Sequence, residues 1–382
     1  MATRMSDLPG DLLTEILSRV SLTSLRALRS TCKTWKALSE THIFGKTDAG
    51  RPFLGFMVID SKLCSMKLDP QGKIRNNGNV VIRPSFKRVR ILKEAEICEV
   101  FHWDGLLLCV NKGGRWLLVW NPYLRQLRWI QIRDKLHTAY MYGLGYENSN
   151  NNRNHKILRL LDVTRSTELG PLFDIYDFNS DSWRVLDNYT GFWVIESGVS
   201  LKGNAYFLAG ETCFGEFDFK GQFFLLCFDF TAERFGQRLV LPFGACLSSV
   251  KSVVLSRVRD EQLVVLHQRQ GDQVMDIWIT TRIEPNAASW SRFLRVEMRL
   301  LRFVAVSFFI DEEKKLALVS GFFIDSKTKH RRAYIIEERG NIKKVNIGKA
   351  GEPGKRLVFS CYAPSLVQLQ INGWGKRKER DY

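Results

Sequence analysis

Between residues 56 and 370 one pattern keeps returning. An aromatic-rich apolar segment ends in a polar turn, and a Trp or Phe opens the next segment a few residues later. Examples are "RWLLVWNP" (115–122) before Trp129 and "FDIYDFNSDSWRVLD" (173–187) with Trp183. The segments centre near Met57, Val119, Ile175, Cys227, Ile277 and Tyr334, at spacings of 62, 56, 52, 50 and 57 residues. Short apolar runs cut by Gly, Asn, Asp and Pro read as strands and turns. A period near 50 with several strands per unit predicts the blades of a β-propeller, six by this count or seven. Closing such a ring leaves no long sheet edge exposed to other chains. The recurring aromatics are expected to anchor one sheet on the next, because large rings dominate the area a core buries.

The first 46 residues follow another rule. In "MSDLPGDLLTEILSRVSLTSLRALRSTCKTWKAL" (5–38) apolar residues recur at helical spacing. Leu12, Ile16 and Val20 form one row, Leu13 and Leu17 the next, and Leu25, Leu28, Cys32 and Trp35 extend the stripe. Asp7 suits the cap of a first helix and Pro9 its opening turn. Ser21 or Thr23 can cap a second helix and Thr31 a third, so three short helices are predicted. Roughly forty residues lie near the lower limit for an independent core. These side chains therefore pack on the β region or are covered by a partner. Helical periodicity stops at the turn-rich "KTDAGRPF" (46–53). The expected organisation is α+β and multidomain: helices 1–46, linker 47–55, an all-β domain 56–370 and a basic tail 371–382.

With 382 residues, 45% of them hydrophobic, the chain exceeds one ordinary domain and has a globular composition. Arg4, Asp7, Asp11 and Glu15 interrupt the N-terminal stretch, so no secretory signal is read. The longest apolar runs, such as "FVAVSFFI" (303–310), fall short of the roughly 20 residues that span a bilayer. A soluble intracellular protein with no membrane partner is expected, cytoplasmic, nuclear or both, its eight scattered cysteines reduced.

Catalytic groupings are missing. There is no G-x-S-x-G elbow and no H-E-x-x-H pair. "GKAGEPGK" (348–355) resembles a phosphate loop, but its outer glycines are one residue too far apart and Arg356 replaces the required Ser or Thr. The six histidines show no close pairing for a metal. No enzyme, cofactor or metal is expected. The net charge of +17 gathers in knots at Arg83, Lys87, Arg88, Arg90 and Lys93 and at Lys327, Lys329, Arg331 and Arg332. Both knots are read as turn-rich stretches between strands, where binding surfaces are displayed. No RNA- or DNA-binding motif accompanies them, so the charge is read as a solubilising surface or as a site for an acidic or phosphorylated protein segment, in preference to nucleic acid. The second knot is taken as the candidate target-binding set. The polar stretches "ENSNNNRNH" (147–155), "RSTELGP" (165–171) and "DSKTKHRR" (325–332) are candidate recognition loops.

With these residues in view, "LPGDLLTEILSRV…SLRALRSTCKTWKAL" resembles an F-box, the motif that docks on a Skp-family adaptor. The Leu-Pro pair, the paired leucines and the Cys-x-x-Trp carry the likeness over roughly residues 5–46. Ser21 stands where a second Pro is common, and "ETHIF" (40–44) replaces the usual Asp-Pro-x-Phe ending. Neither alters the apolar face. The rest, through "HWDGLLLC" (102–109), "VWNPYLRQLRWI" (119–130) and "CFDFTAERFGQRLVLPF" (227–243), resembles the plant F-box-associated domain of the first type, grouped with F-box/kelch proteins. Kelch Gly-Gly doublets are mostly absent, with Gly113-Gly114 present. The resemblance implies a kelch-like propeller and a substrate receptor of a Skp–cullin–F-box ubiquitin ligase. It assigns adaptor docking to Leu8, Pro9, Leu12, Leu13, Ile16, Leu17, Leu25, Leu28, Cys32 and Trp35. Cullin would be reached through the adaptor, and the β domain would hold a protein target. The alternatives are an adaptor-binding scaffold that works without cullin and a basic propeller that binds nucleic acid.

Overall fold

The computed structural model describes residues 53–369 apart from short connecting stretches, the longest being 162–172, 212–221 and 346–359. The proposed adaptor-docking residues, from Leu8 to Trp35, and the basic tail lie outside the described residues. Apart from one 3-10 turn at Arg90–Leu92, the regular structure of the described chain is all strand.

The strands form six antiparallel meanders, the blades of a propeller. Blade 1 holds β1 (Phe53–Ile59), β2 (Lys62–Leu68) and β5 (Ser85–Arg88), with a hairpin of β3 (Lys73–Ile74) and β4 (Val80–Val81) inserted before β5. Blade 2 runs β6 (Ile97–Trp103), β7 (Leu106–Asn111), β8 (Trp116–Asn121) and β9 (Gln126–Gln131). Blade 3 follows as β10 (Tyr140–Ser149), β11 (Asn152–Leu161), β12 (Phe173–Asp177) and β13 (Ser182–Leu186). In blade 4 the first strand is split into β14 (Phe192–Val194) and β15 (Val199–Leu201), both paired with β16 (Asn204–Glu211). Strands β17 (Phe223–Asp229) and β18 (Arg234–Phe235) complete that blade. Blade 5 is β19 (Val250–Val258), β20 (Gln262–Arg269), β21 (Val274–Glu284) and β22 (Ala287–Glu297). Blade 6 is β23 (Phe303–Asp311), β24 (Leu316–Ile324), β25 (Lys329–Glu337) and β26 (Ile342–Val345). Last comes β27 (Ser360–Cys361), which pairs with β1 at Gly55↔Cys361 and Phe56↔Ser360. It serves as the first strand of blade 1, so the two ends of the domain meet in one sheet.

Burial on both faces explains why these strands read as nearly unbroken apolar runs. In β7, Leu106, Leu108 and Val110 pack into the seam with blade 3, and Leu107 and Cys109 into the seam with blade 1. Each of the six seams has its own core, including the closing one, where Met57, Cys64 and Met66 of blade 1 meet Phe309, Leu318, Ala333 and Ile335 of blade 6. Each large side chain buried there contributes about 1.5–3 kcal/mol. Beyond β27, Leu369 is buried in the seam between blades 2 and 3. Its N–H donates to Gln126 Oε1 (2.8 Å), while Asn121 Nδ2 donates to Val367 O (2.7 Å).

Two sequence readings need correction. Val119, Ile175, Cys227, Ile277 and Tyr334 all fall on the third strand of a blade, but Met57 falls on the second strand of blade 1. There the third strand is β2, centred on Ser65, and the interval to Val119 shortens from 62 to 54. The discrepancy arose because β27 supplies the first strand, so the chain enters blade 1 one strand late. Trp129 is also no packing anchor, being 43% exposed. In the register, Leu127 lies opposite Trp120 as Trp183 lies opposite Tyr176 and Phe235 opposite Phe228. Leu127 thus takes the anchor position, and Trp129 sits two residues further along. Trp183 and Trp290 do clamp the preceding blade, donating through Nε1 to Gln131 O (3.0 Å) and Val240 O (3.1 Å).

Candidate target-binding face

In an up-and-down blade the first and third turns share one end, while the middle turn and the link to the next blade share the other. Hydrogen bonds trace both ends around the ring. On the connection face, Ile97 N donates to Ser61 O and Lys112 N to Glu96 O, both at 2.8 Å. On the turn face, Tyr146 N donates to Gly203 O (2.9 Å) and Glu338 N to Lys315 O (3.1 Å). The first of these brings two backbones so close that a Cβ on Gly145 would sit 2.3 Å from Gly203 O. Gly203 itself has φ +86°, which a side chain rarely allows.

The turn face is braced by a repeated device. Asn121, Asp177 and Asp229 each accept, through Oδ1, the N–H groups two and three residues ahead, at 2.8–3.1 Å. Burial pushes the Asp177 carboxyl up, but hydrogen bonds from Ser180 N, Asn154 and Asn179 N hold it below the usual carboxylate range. Four residues after each, Arg125, Asp181 and Glu233 take the left-handed conformation, with φ of 57°, 53° and 52°. In two of these turns the left-handed residue reaches the preceding blade. Asp181 meets Arg128 of blade 2 at 2.9 Å. Glu233 meets Arg184 and Lys156 of blade 3, the latter at 2.7 Å. Arg128 also donates to Phe178 O (2.9 Å) and lies 4.9 Å over the Phe178 ring. Lys156 is buried between Glu233 and Glu147 (2.6 Å).

A buried ion that loses a partner is costly, typically about 3–5 kcal/mol. Glu233→Ala is therefore expected to destabilise the protein by about 3 kcal/mol in urea unfolding. Glu233→Gly, which relaxes the backbone, should recover no more than about 1 kcal/mol of that loss. Full recovery with Gly would assign the cost to φ and not to the carboxylate.

The axis is crossed near the same face. Trp103 Nε1 of blade 2 donates to Gly198 O of blade 4 at 2.9 Å, in the break between β14 and β15. Arg257 Nη2 of blade 5 lies 3.2 Å from His102 Nδ1 of blade 2, on the opposite side of the ring. Sequence reasoning missed Arg128, Lys156, Arg159, His102 and Arg257. The available signal was a basic residue inside an otherwise apolar strand, one blade away from an Asx turn.

The connection face differs. The stretches 162–172, 212–221 and 346–359 fall between strand ends on this face and lie outside the described residues. β1 starts at the turn face, the end opposite these stretches. The stretch 147–155 is mostly the β10–β11 hairpin, on the turn face, and 165–171 lies outside the described residues. The basic knots are not confined to loops. Lys87 and Arg88 stand on β5, and Lys329, Arg331 and Arg332 on β25, while Arg83, Lys93 and Lys327 lie outside the described residues. Arg332 stacks 3.7 Å over the Phe323 ring.

Among the described residues no group of three or more His, Cys, Asp and Glu is placed to hold a metal. Burial, with Glu99 adding to it, pushes the Cys98 thiol up to about 11, away from the depressed range of nucleophilic thiols. No described helix is long and apolar enough to cross a membrane.

The architecture is of the propeller class: six blades with one braced face, preceded in the sequence by a short apolar helical pattern. The F-box domain model matches residues 5–47, and the F-box associated beta propeller domain model matches residues 54–369. The chain is similar to an F-box/kelch-repeat protein of Arabidopsis thaliana, 48% identical over 400 residues and covering 99% of both chains. An F-box protein of the same plant is 46% identical over 394 residues (96% of this chain, 100% of the relative). Another is 48% identical over 385 residues (96% and 99%). The chain belongs to the F-box proteins that carry an F-box associated propeller.

Proposed function

We propose that the chain is the substrate receptor of a Skp–cullin–F-box ubiquitin ligase, with no chemistry of its own. The carrying observation is the pairing of an F-box at residues 5–47 with a closed propeller entered from its turn face. The F-box would dock through Leu8, Pro9, Leu12, Leu13, Ile16, Leu17, Leu25, Leu28, Cys32 and Trp35. Several large aliphatics at about 1.5–3 kcal/mol each are enough for tight docking after ordering costs. Target capture is assigned to the connection face, the end of the ring opposite the start of β1. Tethering raises the local concentration of target lysines near the conjugating enzyme without any new contact.

Leu8→Ala combined with Pro9→Ala is expected to abolish co-purification of a Skp-family adaptor. The thermal unfolding transition of the propeller should stay in place. Unchanged adaptor capture by the double variant, with the propeller intact, contradicts the docking assignment.

A further inference from the structure

The buried basic side chains of the propeller are matched by carboxylates: Arg128 by Asp181, Lys156 by Glu147 and Glu233, Arg159 by Asp174. Arg331 is the exception. It is half-buried on β25, and its Nε and Nη2 atoms are fully enclosed yet meet no hydrogen-bond acceptor among the described residues. Burial alone lowers its pKa, with no acidic neighbour contributing. Burying a charge without a partner is unfavourable, and buried charges are as a rule paired.

The geometry of these two atoms is specific. Nε–H and one Nη2–H point the same way and form the side-on fork that meets two oxygens of a carboxylate or phosphate. Arg159 uses this pair of nitrogens on Asp174, and Arg282 uses it on Glu284. In Arg331 the two nitrogens of the fork are enclosed, and no described residue accepts from them.

Register places the fork in a particular seam. Arg331 shares a strand face with Ala333 and Ile335, which pack against blade 1. Phe322 lies opposite Arg331 on β24, its ring 5.9 Å from the guanidinium. On the facing wall, Arg88 lies opposite Cys64 and shares its face with Phe86, both of which belong to the same seam core. Arg331 thus lines the apolar seam that closes the ring, and Arg88 stands exposed at the edge of its opposite wall. Both stand toward the connection-face ends of their strands. The described part of β26 pairs only with Ala333–Ile336, leaving the Lys329–Arg332 stretch of β25 outside that ladder.

We propose that the connection-face end of the seam between blades 6 and 1 binds an anionic oxygen group, with Arg331 as its bidentate donor and Arg88 as a supporting cation. The group is the carboxylate or phosphate of an acidic segment in a protein target. This rests on the receptor reading for the identity of the ligand, but not for the binding itself. Arg331→Lys keeps the charge and loses the fork, whereas Arg331→Met loses both and removes an unpartnered buried charge.

The test uses the purified full chain and three labelled peptides of one Gly/Ser backbone bearing phosphoserine, glutamate or serine. Fluorescence anisotropy should show the two anionic peptides bound and the serine peptide not, the ratio of the anionic pair identifying the preferred source. Arg331→Lys should weaken both by about tenfold or more. Arg331→Met should abolish binding while leaving the thermal midpoint unchanged or higher. Inorganic phosphate should raise the midpoint of the wild type but not that of Arg331→Met. Unchanged peptide affinity in Arg331→Met overturns the site, and so does a lowered midpoint, which would make Arg331 a structural residue. Tighter binding of a single-stranded oligonucleotide than of the phosphopeptide overturns the protein-segment assignment. If the peptides bind but the adaptor does not, the seam site stands and the receptor reading falls.

Discussion

Removing residues 360–382 is expected to abolish the single cooperative unfolding transition, whereas removing 371–382 leaves it in place. The first truncation deletes β27, whose two paired positions with β1 join the ends of the domain. It also deletes Leu369, 3% exposed in the seam between blades 2 and 3, together with the Leu369 N–H bond to Gln126 and the Val367 carbonyl that accepts from Asn121. A ring of sheets depends on every seam, because opening one exposes a strand edge and two apolar faces. Leu369→Ala isolates part of the effect. It should cost about 2–5 kcal/mol for the lost methylenes and the cavity, with the transition still cooperative. Urea unfolding followed by tryptophan fluorescence measures both. A truncation at 360 that unfolds like the full chain would show that the blade 6–1 seam closes without its strand.

Acid is expected to weaken the propeller well before its carboxylates titrate. Burial, reinforced by the Arg153 charge, lowers the His155 pKa to about 4 from an ordinary 6.5. The ring packs among aromatics, with centroids 5.7 Å from Tyr146 and 6.1 Å from Phe178. In the folded state the imidazole stays neutral down to about pH 4, while the unfolded chain binds a proton from about pH 6.5 downward. Stability is therefore unaffected by this group above pH 6.5 and falls as pH drops through that window. The loss reaches about 3 kcal/mol near pH 4, at 1.36 kcal/mol per pH unit. His155→Leu should flatten the curve between pH 6.5 and 4. An equally steep curve in that variant would place the acid sensitivity elsewhere.

The repeat was legible because third strands carry it: Val119, Ile175, Cys227, Ile277 and Tyr334 all lie on the third strand of their blades, the first four facing the following blade and Tyr334 the preceding one. Blade 1 was misread because its first strand, β27, comes about 300 residues after its second, and no local pattern reports such a pairing. Trp129 was misread because residue type alone does not distinguish the anchor position, held by Leu127, from the exposed one. The braces at Asp181 and Glu233 follow an Asx turn that was visible as a polar break. Their targets, Arg128 and Lys156, are one blade away and emerge only when the ring is assembled. Arg331 was singled out for its charge and placed in a loop. Alternation along β25 turns it into the seam and gives it the enclosed, unmatched fork.

The receptor assignment is tested most directly by mixing the purified chain with a Skp-family adaptor and a cullin and weighing the product by native mass spectrometry. A complex containing one copy of each, lost on Leu8→Ala with Pro9→Ala and retained in Arg331→Met, is the predicted result. A stable pair of chain and adaptor from which cullin is excluded would contradict it.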